Sequence, residues 1–227
     1  GLVGSEMCIR DRCCMRRWFK DNRGFIVFLA CFGFFRLAIA DWNPIPSGSM
    51  RPTLLQGDVV LVNRLAYDFK LPLTDVVLAP LGEPRRGDVV TFSSPVDGTR
   101  LIKRLVAVPG DVVELRGGAL WLNGREAAYS HPARATEPLD DGRSLPALQA
   151  TESSGGREHT VQYLEGVATA RNFGPVTVPA GQYFVLGDNR DNSADSRFIG
   201  FVPREKLIGH AHHVLVSACL LYTSDAA

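Results

Sequence analysis

Cysteine is missing from residues 32–218. The chain's five cysteines are Cys8, Cys13, Cys14, Cys31 and Cys219, so this stretch can hold no internal disulfide and has to fold around a hydrophobic core, which its length permits. That absence is compatible with an exported, periplasmic domain. An excess of charge is missing too. A formal net charge of +1 over 227 residues gives no bulk attraction to nucleic acid, and there is neither a basic stripe nor zinc-type cysteine spacing, so nucleic acid is not an expected partner. Long hydrophobic runs are scarce. The apolar stretch Phe25–Ala40, broken by Arg36, is shorter than the ~20 residues a spanning helix needs.

That stretch nevertheless follows a basic segment, Arg16-Arg17-Trp18-Phe19-Lys20-Asp21-Asn22-Arg23. The pattern predicts a membrane anchor helix over 24–40 preceded by a cytoplasmic lead-in, 13–23, with Arg36 snorkelling to the far interface beside Trp42. The positive-inside rule then places everything after Ala40 on the outer side. A surface-lying or core helix, or a cleaved leader, are the competing accounts. The two ends, 1–12 and 219–227, look unlike the rest and are expected to be non-native extensions.

Beyond residue 40 the chain reads as one mainly β domain, 41–218. Short β-branched or apolar runs at Val59–Val62, Val76–Leu78, Val89–Phe92, Leu101–Val108, Val112–Leu115, Leu120–Leu122, Thr160–Tyr163, Val176–Val178 and Tyr183–Leu186 are separated by turn signals, as in a sandwich or barrel. Asn123-Gly124 is the strongest hairpin signal, and the Gly-Asp pairs at 57–58, 87–88 and 110–111 read as turns. Residues 127–157, rich in Pro, Gly, Ser, Thr and Glu, are expected to be a surface insertion.

Three segments carry chemistry. Pro46-Ser47-Gly48-Ser49-Met50-Arg51-Pro52-Thr53 holds a serine in a loop stiffened by prolines, and a serine needs a base to become a nucleophile. Lys103 can be that base if Leu101 and Leu105, on its face of an alternating strand, desolvate it and release its proton; the bland alternative is a surface lysine on an edge strand. The third segment is the polar run from Gly187 to Arg197, in which Ser193 can orient an amine and Asp195 can pair with Arg197.

In this order the three segments resemble the motif boxes of bacterial type I signal peptidase, the Ser-Lys protease of the secretory pathway. Arg86-Gly87-Asp88-Val89-Val90, Pro109-Gly110-Asp111 and Gly200-Phe201-Val202-Pro203 add to the likeness, which extends over roughly residues 24–217. The resemblance implies a barrel-like β domain shared with self-cleaving SOS repressors. It also implies a membrane-bound serine endopeptidase that removes N-terminal signal peptides after small residues at −1 and −3. Carried over, Ser49 is the nucleophile and Lys103 the general base. Ser47 and the Ser49 N–H form the oxyanion hole, and Ser193 holds the amine. Asp195 and Arg197 brace the site beside a close-packed Gly187, and Ile45, Pro46, Met50 and Ile102 line the substrate pocket. The expected partners are signal peptides and the lipid bilayer, at the bacterial inner membrane.

No cofactor is expected. His210 and His212 share a strand face, but two ligands without a third bind metal weakly. Three rival readings remain: a specialised pilin-type peptidase, an SOS-type self-cleaving regulator, and a tethered β domain that binds extended peptides without cutting them.

Overall fold

The computed structural model describes residues 17–71, 74, 76–138, 144–167 and 169–217; the two expected end extensions lie outside these. In chain order the elements are helix α1 (Arg23–Ala38), β1 (Ala40–Pro44), the 3-10 turn Gly48–Met50, β2 (Val59–Asn63), β3 (Asp68–Lys70), β4 (Val77–Pro80), β5 (Val89–Ser93) and β6 (Arg100–Ala107). There follow β7 (Val112–Arg116), β8 (Ala119–Leu122), β9 (Arg125–Glu126), β10 (Ala128–Pro138), β11 (Ser144–Ser154) and β12 (Arg157–Leu164). The last are β13 (Phe173–Thr177), β14 (Gln182–Leu186), the short helix α2 (Ser196–Ile199), β15 (Val202–Pro203) and β16 (Leu207–Val216).

The mainly β expectation holds. A seven-stranded sheet runs β1-β2-β16-β5-β6-β14-β15, beside sheets of order β13-β7-β8-β9, β10-β11-β12 and β3-β4. Arg100 of β6 bonds Asp41 and Asn43 of β1, four places away in strand order. The large sheet is therefore curled, a half-barrel whose β1 edge returns toward β6. Two devices in the sequence shape the turns between strands. Asn123 and Gly124 both take positive φ, 53° and 79°, as a two-residue hairpin turn requires. Asp58, Asp88 and Asp111 of the three Gly-Asp pairs each accept the backbone N–H three residues earlier, from Leu55, Arg85 and Val108, at 2.8, 3.0 and 2.9 Å.

Strand β6 lies at the centre of the core. Its last six residues are buried: Ile102 packs with Ile45, Met50 and Val60, Leu105 with Phe92 and Val185, and Val106 with Leu120 and Phe184. A strand covered on both faces reads as an almost continuous apolar run. Lys103 and Arg104 interrupt that run and are buried with it, so the edge-strand reading of Lys103 does not hold.

One expectation needs revising. The apolar run forms a helix, but it ends at Ala38 and Ala40 already pairs with Asn63 in the sheet. Its 16 residues rise about 24 Å, short of the ~30 Å hydrocarbon core of a bilayer, and no helix among the described residues is long and apolar enough to cross a membrane. Residues 127–157, expected as a surface insertion, contain both strands of the β10–β11 hairpin, which β12 extends into a sheet. Exposed along much of β10, it still buries Glu137 and Glu152.

Candidate active site

The Gly48–Met50 turn brings Ser49 and Met50 inward, and the end of β6 that faces it carries Lys103. The Lys103 Nζ lies 2.6 Å from Ser49 Oγ and donates to the Ile102 carbonyl at 3.0 Å. Both side chains are buried, Ser49 to 6% exposure and Lys103 to 3%. That burial pulls the Lys103 amine down to about 8, against the charges of Asp195 and Asp188, which push it up. Desolvation is the largest of these effects, since burial penalises the charged form of the amine. An amine so placed is unprotonated in an appreciable fraction near neutral pH, far more than an ordinary lysine, and can take the proton of the hydroxyl it touches.

The polar run after β14 clamps the serine turn. Asn189 donates its backbone N–H to the Ser49 carbonyl at 3.1 Å and its side-chain amide to the Gly48 carbonyl at 3.1 Å. Asp195 accepts from Arg197 Nε and Nη2 at 2.7 and 2.8 Å and from the Gly187 N–H at 3.1 Å, while Arg197 Nη2 also donates to the Arg190 carbonyl at 2.6 Å. The expected pair thus closes a loop onto itself. Gly187 is hemmed in: a Cβ there would overlap the Ser193 side chain and stand 2.6 Å from the Ser49 carbonyl oxygen.

The remaining expected residues divide. Ser47 sits beside Ser49, its hydroxyl donating to Ser49 Oγ at 3.3 Å. Ile45, Met50 and Ile102 gather in one cluster with Leu54, Val60 and Val62, whereas Pro46 is exposed and stands apart from it. Ser193 does not bond Lys103; its Oγ is buried with no hydrogen-bond partner. His210 and His212 stack with ring centroids 4.1 Å apart, and no group of three potential metal ligands occurs among the described residues.

A network of buried polar residues around the site escaped the sequence reading. Arg104, next to Lys103, grips Asp188 at 2.8 and 2.6 Å, and Thr53 donates to the same carboxylate at 2.5 Å. Glu137 on β10 accepts from Gln162, from Asn189 and, at 3.4 Å, from Arg51. Glu152 on β11 receives both terminal nitrogens of Arg190 at 2.7 Å. The one signal available was a charged residue beside Lys103 in an otherwise apolar strand, since a charge there demands a partner.

A model of the signal peptidase family, peptidase S26, matches residues 15–216. The chain belongs to that family. It is 40% identical over 185 residues to signal peptidase I of Pseudomonas fluorescens, an alignment that takes in 76% of this chain and 63% of that one. Signal peptidase I of Rickettsia typhi is 31% identical over 224 residues, covering 92% and 84%. Against the Pseudomonas relative, then, the chain spans less than two thirds of the family member's length. A crystal structure of a signal peptidase I from Enterococcus faecalis matches 57% of this chain and 97% of its own at 31% identity and a TM-score of 0.35.

Proposed function

We propose that the chain is a membrane-associated serine endopeptidase that removes signal peptides from exported preproteins. The observation that carries this reading is the 2.6 Å approach of a buried, desolvated Lys103 amine to Ser49 Oγ, in a chain of the signal peptidase family.

In this mechanism Ser49 Oγ attacks the scissile carbonyl as its proton passes to Lys103 Nζ. The tetrahedral oxyanion is received by the Ser49 N–H and the Ser47 hydroxyl, donors typically worth ~3 kcal/mol each in the transition state. Lys103 returns the proton to the departing amine, leaving an acyl-Ser49, and then takes a proton from the water that hydrolyses it. No histidine or carboxylate has to orient the base, because burial and the bond to the Ile102 carbonyl already aim it. Ser193, with its uncommitted hydroxyl, is the group we assign to hold the amine during turnover. Asp195 and Arg197 keep the run that carries it in place.

The substrate has a natural seat. Residues 100–103 of β6 pair with β5 on one side, and β14 joins the other side only from Arg104 onward. Strand β1 pairs with β2 alone. An extended peptide can lie along these free edges, with small side chains at −1 and −3 entering the shallow apolar floor made by Ile45, Met50 and Ile102. The helix α1 exposes Phe25, Val27, Phe28, Leu29, Phe32, Phe34 and Phe35, a surface too apolar to face water undisturbed. We assign it to the bilayer, where it holds the site beside exported chains.

The test is digestion of a purified preprotein by the full chain in detergent, with the product's new N-terminus read by mass spectrometry. Cleavage after a small residue at −1 by the wild type, and its loss in both Ser49→Ala and Lys103→Ala, is expected. Cleavage that survives either substitution rules the pair out.

A further inference from the structure

At the foot of α1 three arginines share one carboxylate. Arg36 Nη2 donates to Asp41 Oδ1 at 2.7 Å, Arg100 Nη1 to Asp41 Oδ2 at 3.2 Å, and Arg64 Nη1 stands 3.9 Å from the same oxygen. The three come from different elements: the last turn of α1, the residue after β2, and the first residue of β6. They are held there by design of the backbone, since the Arg64 N–H bonds the Ile39 carbonyl where the helix ends. Among the described residues, each of the three has Asp41 as its ion-pair partner. The cluster is left with two positive charges in excess.

Burial pulls the Arg64 guanidinium below its usual value; Asp41 pushes it back up and Arg100 pulls it down again. A second anion would relieve the repulsion. Room for it exists on the outer side, where Arg36 and Arg100 keep 37% and 49% of their side-chain surface. The surroundings indicate its source. Arg36 lies 3.7 Å over the Trp42 ring, Trp42 packs near Phe32 at 6.1 Å, and above them rises the exposed apolar face of α1. An indole and a guanidinium directly beneath an apolar helix are the arrangement of a headgroup layer, with the aromatic ring at the interface and cations among the phosphates.

We infer that Arg36, Arg64 and Arg100 form a binding site for the headgroup phosphate of an anionic phospholipid. The inference rests on the reading of α1 as a bilayer-facing helix. It also fixes where the chemistry happens: Arg100 and Lys103 are three residues apart on β6, about 10 Å along the strand, so a lipid phosphate at Arg100 holds the reactive pair at the bilayer surface.

Sedimentation of the full chain with vesicles of phosphatidylcholine alone, and with a third of it replaced by phosphatidylglycerol, tests this. The wild type should gain affinity on the anionic vesicles. Arg64→Gln/Arg100→Gln should lose that gain, by about fivefold for each arginine, with binding to neutral vesicles unchanged. The exposed Arg125→Gln should keep it. Asp41→Asn should enlarge the gain, which a merely damaged fold would not do. A gain that survives the double substitution, an Asp41→Asn protein that loses it, or its abolition by millimolar inorganic phosphate would each overturn the lipid site. Failure of the wild type to bind neutral vesicles, with the anionic gain intact, would support the phosphate site and count against the apolar role of α1.

Discussion

The backbone carbonyl of Ser49 stands 2.6 Å from the point where a side chain at Gly187 would begin. The strand-end glycine and the serine turn are therefore packed backbone to backbone, and the space between Ser49 and Ser193 admits no methyl group. Gly187→Ala should displace the serine turn, the Ser193 side chain or both. Overpacking of this kind costs about 1–3 kcal/mol. We expect a lower urea midpoint and a fall of at least tenfold in kcat/KM, seen by equilibrium unfolding and a peptide cleavage assay on the same preparation.

The Glu152–Arg190 pair joins the β10–β11 hairpin to the polar run, with side chains 0% and 3% exposed. Burial alone would push the Glu152 carboxyl up; Arg190 and the Tyr129 hydroxyl hold it below the usual carboxylate range. Glu152→Gln or Arg190→Gln leaves its partner charged and buried, at a cost of about 3–5 kcal/mol. The double substitution Glu152→Gln/Arg190→Gln should cost less than the sum of the single ones. A cycle of urea unfolding measurements reads the coupling.

His159 supplies a pH signature. Burial, aided by Arg104, lowers its pKa to about 4 although Asp188 and Glu152 pull the other way. In the unfolded chain a histidine titrates near ~6.5, so between these values the unfolded state binds the extra proton. Stability from keeping His159 neutral is complete above about 6.5 and is lost as pH falls toward 4. The loss reaches up to about 3 kcal/mol. Unfolding free energies of wild type minus His159→Gln, taken from pH 7 to 4, should fall across that window and be level above it.

Arg197 offers a separate test of the brace. Its guanidinium holds Asp195 and the Arg190 carbonyl at once. Arg197→Met strands the fully buried Asp195, while Arg197→Lys restores a charge but not the bidentate fork. Both should lower kcat more than they raise KM, with the lysine variant intermediate. Steady-state kinetics on one peptide at saturating and limiting concentrations would show it.

Legibility in the sequence followed the range of the interactions involved. Strands β2, β5, β6 and β14 were marked within a residue or so because their own apolar residues define them. Asn123-Gly124 was marked because its turn geometry is local. Strands β10 and β11 were not, since Glu137 and Glu152 look like surface residues until Gln162 and Arg190 are brought to them across 25 and 38 positions. β1 was hidden by its closing Pro44, tolerated because this edge strand pairs with β2 alone. Within the site, Ser49, Lys103, Asp195 and Arg197 could be named from three short segments. The Ser193 hydroxyl could be named too, but its lack of a hydrogen-bond partner needed the fold. Arg104 with Asp188 needed the fold.

The most direct measurement is the rate of acyl-Ser49 formation in a single turnover, followed by quenched mass spectrometry between pH 5 and 10. With the Lys103 amine lowered to about 8, the rate should rise tenfold per pH unit on the acid side and level off near that value. Lys103→Met, which keeps the side chain's length and removes the amine, should form no acyl-enzyme at any pH. A rate independent of pH over that range, or acylation by Lys103→Met, would contradict the Ser49–Lys103 mechanism.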